Sequence, residues 1–365
     1  MNYDTFIEVL EKYVIEKKQL AHVIYDDEQV VKYVEDILDQ KLNHTKRVVD
    51  YVFVLAQKMQ MHINYERIVI ASGLFHDIGR FNQGLKFRSY NDSLTFSNGQ
   101  NHGDYGYELI TKNPEEISIF EKIVDEKAQP VVATTVKYHQ RGVLPPSYNK
   151  RLTEDLRKTN PDMILTGSYD FNELEKQILS ALLQMVRDAD RIDILWQRAT
   201  GEIAPFNDNV FLKNTGNVSE MAKRWGVSEK VILANNDEER LSSKPNIIIP
   251  REYIPVEKLI VSPNLMERMK NFEHIDLRSL QQESDYTFIT ALWWSIYTFL
   301  KDMNFVDNLK QIKERKLLEQ IYDKYPDYYR PLIDKIFKFA KETLIDEQIN
   351  KSKDELYVNN PVRKP

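Results

Sequence analysis

Along most of the chain, apolar residues recur at the three-to-four-residue spacing of a helix with one buried face. Val48, Val49, Val52, Leu55 and Ala56 form one such stripe, following Asn43-His44, and place His44 at the start of a helix. Ile68, Ala71, Leu74 and Phe75 form a second, with Gly79 positioned to end it. The longest stripe joins Leu174, Ile178, Ala181, Leu182, Met185, Ala189, Ile192 and Trp196. Helical patterning returns after residue 264, where Trp293, Trp294, Ile296, Tyr297 and Leu300 make an apolar patch suited to core or interface packing.

Three stretches interrupt this rhythm. Residues 82–101 hold Gly84, Gly99 and several Asn and Ser, and read as a long loop. Residues 144–167 are polar and carry Pro145, Pro146 and Pro161. Residues 242–263 contain Ile247-Ile248-Ile249 among prolines, which predicts a short extended piece. The last residues, 351–365, read as a frayed end.

Composition sharpens the helical reading. The 365 residues include only 11 glycines and 14 prolines, too few breakers for a turn-rich β protein. Cysteine is absent, which excludes disulfides, thiolate zinc sites, iron–sulfur clusters and cysteine nucleophiles. Any metal must therefore be held by His, Asp, Glu or water. The first residues carry Asp4, Glu8, Glu11 and Glu16 and do not read as a secretory signal. The apolar run 288–300 is too short to span a bilayer. A cytoplasmic protein without a membrane partner is expected.

The formal net charge of −6 disfavours a general nucleic-acid binder. Residues 218–231 imitate a helix-turn-helix, with Ala222 and Gly226 at the turn spacing. Their continuation into Asp237-Glu238-Glu239 has the wrong sign for phosphates, so stable DNA binding is disfavoured.

The chemistry concentrates at histidines beside element ends. There are seven: His22, His44, His62, His76, His102, His139 and His274. A His-Asp dipeptide means little alone. Ala71-Ser72-Gly73-Leu74-Phe75-His76-Asp77 nevertheless puts a polar pair at the end of an apolar helix, and a buried carboxylate needs a cation or several donors. His102 stands at a helix start in Asn101-His102-Gly103-Asp104, and His139 at a helix finish in Lys137-Tyr138-His139-Gln140. In Asp188-Ala189-Asp190-Arg191-Ile192-Asp193, helical period alone does not choose a ligand, since Asp188 and Asp193 lie nearer the apolar stripe than Asp190 does.

The order His44, His76-Asp77, Asp190, with Asn43-His44-Thr45-Lys46-Arg47-Val48 and Phe75-His76-Asp77-Ile78-Gly79-Arg80, resembles the HD-domain metal-dependent phosphohydrolase superfamily. The additional His102 and His139 resemble its two-metal subgroups. The resemblance implies an all-α helical bundle over residues 20–200, with residues 201–365 a mostly helical extension packed on it. It selects Asp190 as the last ligand, with Asp188 in reserve. It implies one metal on His44, His76, Asp77 and Asp190 and a second on His102 and His139, with Asp77 bridging. Two departures narrow the substrate. The Gly-Tyr-Pro motif of cyclic-di-GMP phosphodiesterases is missing at Gln140-Arg141-Gly142-Val143-Leu144-Pro145. Ile78-Gly79-Arg80-Phe81 stands where alarmone hydrolases carry an acidic pair.

Imidazole and carboxylate ligands suit Mn, Fe, Co, Ni or Zn, with Mg at an oxygen-rich position. Two such ions activate water and clamp a phosphate, so no side-chain nucleophile is required. Arg80, Lys86, Arg88 and Arg141 flank the motifs and are the candidate cations for the charge on phosphorus. Asp104 is the candidate for orienting a ligand or shuttling a proton. The expected activity is hydrolysis of a phosphomonoester or phosphodiester in a small, nucleotide-like substrate, by a chain free to form a homodimer. Two other readings remain open at this stage: an HD-type di-iron oxygenase resembling inositol oxygenase, and a non-catalytic or DNA-binding regulator.

Overall fold

The computed structural model describes residues 3–88, 100–140, 164–203, 209–244, 246–250, 253–255, 258, 263–271, 273, 293–325, 327 and 330–352. The chain divides into two compact units, Met1–Asp193 and Ile194–Pro365. Among the described residues no helix is long and apolar enough to cross a membrane.

The first unit is built from α1 (Tyr3–Ile24), α2 (Glu28–Lys58), α3 (Ile63–Phe75), α4 (Ile78–Phe87), α5 (His102–Lys112), α6 (Pro114–Ile123), α7 (Gln129–Tyr138) and the first part of α8 (Glu173–Thr200). The ends of these helices follow from local chemistry. Asp27 caps α2 by accepting from the backbone N–H of Gln29 at 2.8 Å. Asn101 caps α5 through the N–H of Asp104 at 2.9 Å. Asn113 caps α6, whose first residue is Pro114, where a missing N–H costs nothing. The α2 and α3 stripes are core, with Val48, Val49, Val52, Leu55, Ala56, Ala71, Leu74 and Phe75 buried; the longest stripe is buried from Ile178 to Ile192, but Leu174, in the first turn of α8, is exposed.

Three sequence expectations need correction. His44 does not begin a helix. Asp27 does, and α2 runs unbroken from Glu28 to Lys58, because Lys41-Leu42-Asn43 contains no breaker. Gly79 does not end α3; it lies in the first turn of α4, and no left-handed backbone is recorded there. The loop expected over 82–101 starts later, since α4 continues to Phe87 and stops where Arg88 turns left-handed, φ 54°.

A buried polar network ties α1, α4 and α6 together. Lys17 Nζ is 3.1 Å from both Glu115 Oε1 and Glu116 Oε1. Tyr13 Oη donates to Glu116 Oε1 at 3.0 Å, and Asn82 Nδ2 donates to Glu116 Oε1 at 2.9 Å. Burial first, then the charge of Glu116, pushes the Tyr13 phenol well above its usual range, so it remains a donor. Removing one partner of a buried ion pair strands the other. Lys17→Met is therefore expected to cost about 3 kcal/mol in chemical denaturation. The double variant Lys17→Met/Glu116→Gln should recover part of that loss.

The second unit holds the remainder of α8 and a two-stranded antiparallel ribbon, β1 (Asn209–Lys213) with β2 (Asn246–Pro250), in the register Val210↔Ile249 and Leu212↔Ile247. β2 is the extended piece expected at Ile247–Ile249. Its partner β1 gave no signal in the sequence. Between the strands lie α9 (Val218–Trp225), α10 (Glu229–Asn235) and α11 (Glu238–Ser243). Asn236 fastens this segment to β2 by accepting from Ile248 N at 2.6 Å and donating to Ile248 O at 2.7 Å. The unit continues through α12 (Pro263–Lys270), α13 (Trp293–Lys301), α14 (Val306–Glu314), α15 (Leu317–Asp323) and α16 (Arg330–Phe339). A π-helical stretch, Ala340–Asp346, then leads into α17 (Glu347–Lys351). Ile296, Tyr297 and Leu300 are buried, as core packing requires. The side chains of Trp293 and Trp294 lie outside the described residues. So does most of 144–167, and so does the chain end from residue 353.

Candidate metal centre

Six side chains converge on one place in the first unit, delivered by α2, the α3–α4 break, α5, the end of α7 and α8. His44 comes from the middle of α2. His76 and Asp77 occupy the break between α3 and α4, where Asp77 adopts φ −109° and ψ 20°, outside helical geometry. That break lets adjacent residues face one point. His102 opens α5, His139 follows the last residue of α7, and Asp190 comes from α8.

The atoms form two groups that share Asp77. In the first, His44 Nε2 is 3.3 Å from His76 Nε2, 3.4 Å from Asp77 Oδ2 and 3.2 Å from Asp190 Oδ1. His76 Nε2 is likewise 3.4 Å from Asp77 Oδ2. In the second, His102 Nε2 is 3.1 Å from His139 Nε2 and 3.3 Å from Asp77 Oδ1. His139 Nε2 is 3.6 Å from the same oxygen. Each oxygen of Asp77 thus belongs to a different group. His44–His76–Asp77 and Asp77–His102–His139 each meet the spacing for holding a metal ion.

The outer nitrogens decide what the inner ones can do. His76 Nδ1 is 2.6 Å from the Gly73 carbonyl and His139 Nδ1 is 2.7 Å from the Val136 carbonyl. A carbonyl only accepts, so Nδ1 carries the proton and a neutral ring turns an Nε2 lone pair inward. His44 Nδ1 is 2.6 Å from Asp193 Oδ2, a carboxylate that plays the same part. Lone pairs and carboxylate oxygens then face one another at 3.1–3.6 Å, an arrangement that a shared cation makes favourable. Ligands about 2.1 Å from a shared ion stand roughly 3.0–3.4 Å apart at octahedral to tetrahedral angles. The residues fit a metal.

The electrostatics point the same way. Burial and Lys41 both push the His44 imidazole down, but hydrogen bonds with Asp190, Asp193 and Asp77 outweigh them and raise its pKa from 6.5 to about 10. The carboxylates around His44 thus call for positive charge, which either a proton on the ring or a cation in that proton's place supplies. Burial disfavours an ionised Asp77, yet Lys41, His76, His139 and His44 hold it well below the usual carboxylate range. Asp190 is also held low, against its burial, by His44 and His76.

Of the remaining candidates, Arg80 reaches the centre: its Nε is 4.0 Å from Asp77 Oδ1, and Nη1 donates to Gln83 Oε1 at 2.8 Å. Lys86 lies further along α4, with Nζ 3.5 Å from Tyr105 Oη. The Arg88 guanidinium stands 5.8 Å from the centre of the Tyr25 ring. Asp104 lies in the first turn of α5, where an acid suits the helix N-terminus. Arg141 lies outside the described residues. Asp188 is buried beside Arg191, Oδ1 to Nη1 3.9 Å, while Asp190 is the acid that approaches His44.

Sequence reasoning missed three contributors. Asp193 supports His44 and is itself held by Arg47, Nε to Oδ1 2.5 Å. Lys41 donates to Asp77 Oδ2 at 2.8 Å. The available signal was helical spacing: Lys41 and Arg47 each lie three residues from His44, and Asp193 lies three residues from Asp190. A carboxylate that orients a ligand imidazole, as Asp193 does, matters for metal affinity. Asp193→Asn is expected to weaken metal binding about 10- to 100-fold, measured by titration with Mn²⁺.

Residues 42–195 match the family model of the HD domain. No curated protein and no solved structure gives a match.

Proposed function

We propose, from the match of residues 42–195 to the HD-domain model, a domain of metal-dependent hydrolases, that this chain is a two-metal phosphohydrolase. In this reading it cleaves a phosphomonoester or phosphodiester bond in a small, nucleotide-like substrate. The observation that carries the reading is the division of Asp77: Oδ2 faces His44 and His76, and Oδ1 faces His102 and His139. His44, His76, Asp77 and Asp190 would hold one ion, and Asp77, His102 and His139 the other. Bound there, divalent ions would supply Lewis acidity and a water ionised near neutral pH.

The chain's own groups do the rest. Asp77 keeps the two halves in register through a single carboxylate. Gly73 O, Val136 O and Asp193 fix the imidazoles in the tautomer that presents Nε2. Arg80, on the Oδ1 side, is placed to neutralise charge on a phosphoryl oxygen. Asp104 is the proposed proton carrier to the leaving group. Lys86, Arg88 and Arg141 are proposed to meet more distant parts of the substrate.

The test combines metal analysis of the purified protein with a panel of phosphomonoesters and diesters across Mn, Fe(II), Co, Ni, Zn and Mg. Phosphate release that disappears on chelation and returns with metal is the expected result. Iron-dependent oxygen uptake without phosphate release would replace this reading with the oxygenase.

A further inference from the structure

We propose that Lys41 is a second phosphate-holding cation of this centre, and that with Arg80 it selects a terminal, doubly charged phosphate as the reacting group. This inference rests on the metal-centre reading and narrows its substrate.

The argument starts from placement. Lys41 Nζ lies 2.8 Å from Asp77 Oδ2, the oxygen that also faces His44 and His76 at 3.4 Å. Arg80 Nε lies 4.0 Å from the other oxygen, Oδ1, which faces His102 and His139. One cation of the chain therefore stands on each side of the shared carboxylate. Neither is a surface charge by chance: the Lys41 side chain is 16% exposed and that of Arg80 15%. Both are largely enclosed, yet each keeps some access to solvent, as a group that meets a ligand must.

Comparison with Arg47 separates the two roles a nearby cation can have. Arg47 grips Asp193 with two nitrogens, Nε to Oδ1 at 2.5 Å and Nη2 to Oδ2 at 3.3 Å, and that carboxylate is fully buried. This is a matched pair with a supporting task. Asp77, by contrast, is shared among four imidazoles, so its charge is not reserved for Lys41. An ammonium on a flexible stem is a compact point charge, which suits a phosphate oxygen that changes position during a reaction.

A charge count gives the substrate class. Two divalent ions against Asp77 and Asp190 leave a surplus of two positive charges. Lys41 and Arg80 double it, while Arg47 and Asp193 cancel. The ionised water takes up one of these four charges, and the remaining surplus of three complements a terminal phosphate, whose charge at pH 7 is about −1.5 to −2. It complements a diester monoanion, or an uncharged polyol, less well.

The experiment uses the full chain loaded with Mn²⁺, as wild type, Lys41→Met and Lys41→Arg. Calorimetry reads Mn²⁺ affinity first, then the affinity of the loaded protein for inorganic phosphate and for dimethyl phosphate. Wild type is expected to prefer inorganic phosphate. Lys41→Met should lose about tenfold or more of that affinity, the value of one charge-assisted hydrogen bond. Lys41→Arg should keep most of it, and Mn²⁺ affinity in Lys41→Met should stay the same or rise. Unchanged phosphate binding in Lys41→Met overturns the inference alone. A fall in Mn²⁺ affinity in Lys41→Met also overturns it, by reducing Lys41 to a prop for Asp77. Equal binding of the two anions removes the substrate class. Failure of the wild type to bind Mn²⁺ overturns the metal-centre reading itself.

Discussion

Replacing Asp77 by alanine is expected to abolish metal binding in both halves of the centre at once. The same carboxylate offers Oδ2 to His44 and His76 and Oδ1 to His102 and His139, so its loss removes one ligand from each group. Losses at residues that merely support ligands run from about 10- to 100-fold, and a ligand shared by two ions should exceed that range. On the proposed two-metal reading, metal content by elemental analysis should fall from two equivalents to none, and the proposed hydrolysis more than about 100-fold. His102→Ala is the informative contrast. It touches only the second group, so it should leave one equivalent bound. Two equivalents retained in Asp77→Ala would show that the groups do not share this residue.

The second large effect is expected at a residue with no side chain. A β-carbon on Gly79 would stand 2.5 Å from the His102 carbonyl oxygen and 2.8 Å from the Gly106 nitrogen. Both are backbone atoms, so no rotamer change relieves the clash. Gly79→Ala must push α4 away from α5, and α5 carries His102. Overpacking of this kind costs about 3 kcal/mol or more, which lowers the melting temperature by roughly 6–12 °C for a unit of this size. The second metal equivalent should weaken together with stability. Gly73→Ala provides the control in the neighbouring helix. There the new carbon meets Val49 Cγ2 at 3.6 Å, an ordinary contact, and the helix interior gains up to about 1 kcal/mol. A Gly79→Ala variant as stable as wild type would refute the packing argument.

The two glycines also show how far the sequence could be read. Spacing placed the α2 and α3 stripes in the core because helical period is a local property of the chain. The same logic misassigned Gly79. A glycine beside a helix end usually serves a left-handed backbone, whereas here its use is a close approach to a segment more than twenty residues away. The β1–β2 pairing was half legible for a similar reason: Ile247–Ile249 advertises a strand, but a partner well over thirty residues earlier leaves no mark nearby. At the centre, His44, His76, Asp77, His102, His139 and Asp190 were named from motifs. Lys41, Arg47 and Asp193 were not, since a cation or acid three residues from a ligand looks like any charge on a helix. Only the fold shows that these helix faces meet.

The outer hydrogen bonds of the imidazoles have a consequence for how this centre tolerates sequence change. His76 and His139 are both oriented by a carbonyl three residues earlier, at the end of their own helix. Those carbonyls would be unpaired in any helix that stops there. Such support is made of main chain. It survives every substitution at the supporting position that preserves the helix, and no single codon encodes it. His44, in mid-helix, has no such end to borrow and depends on the side chain of Asp193, which depends in turn on Arg47. Drift in this domain is therefore constrained unevenly. Two imidazoles are secured by architecture, and the third hangs on a chain of side chains that one point mutation can sever.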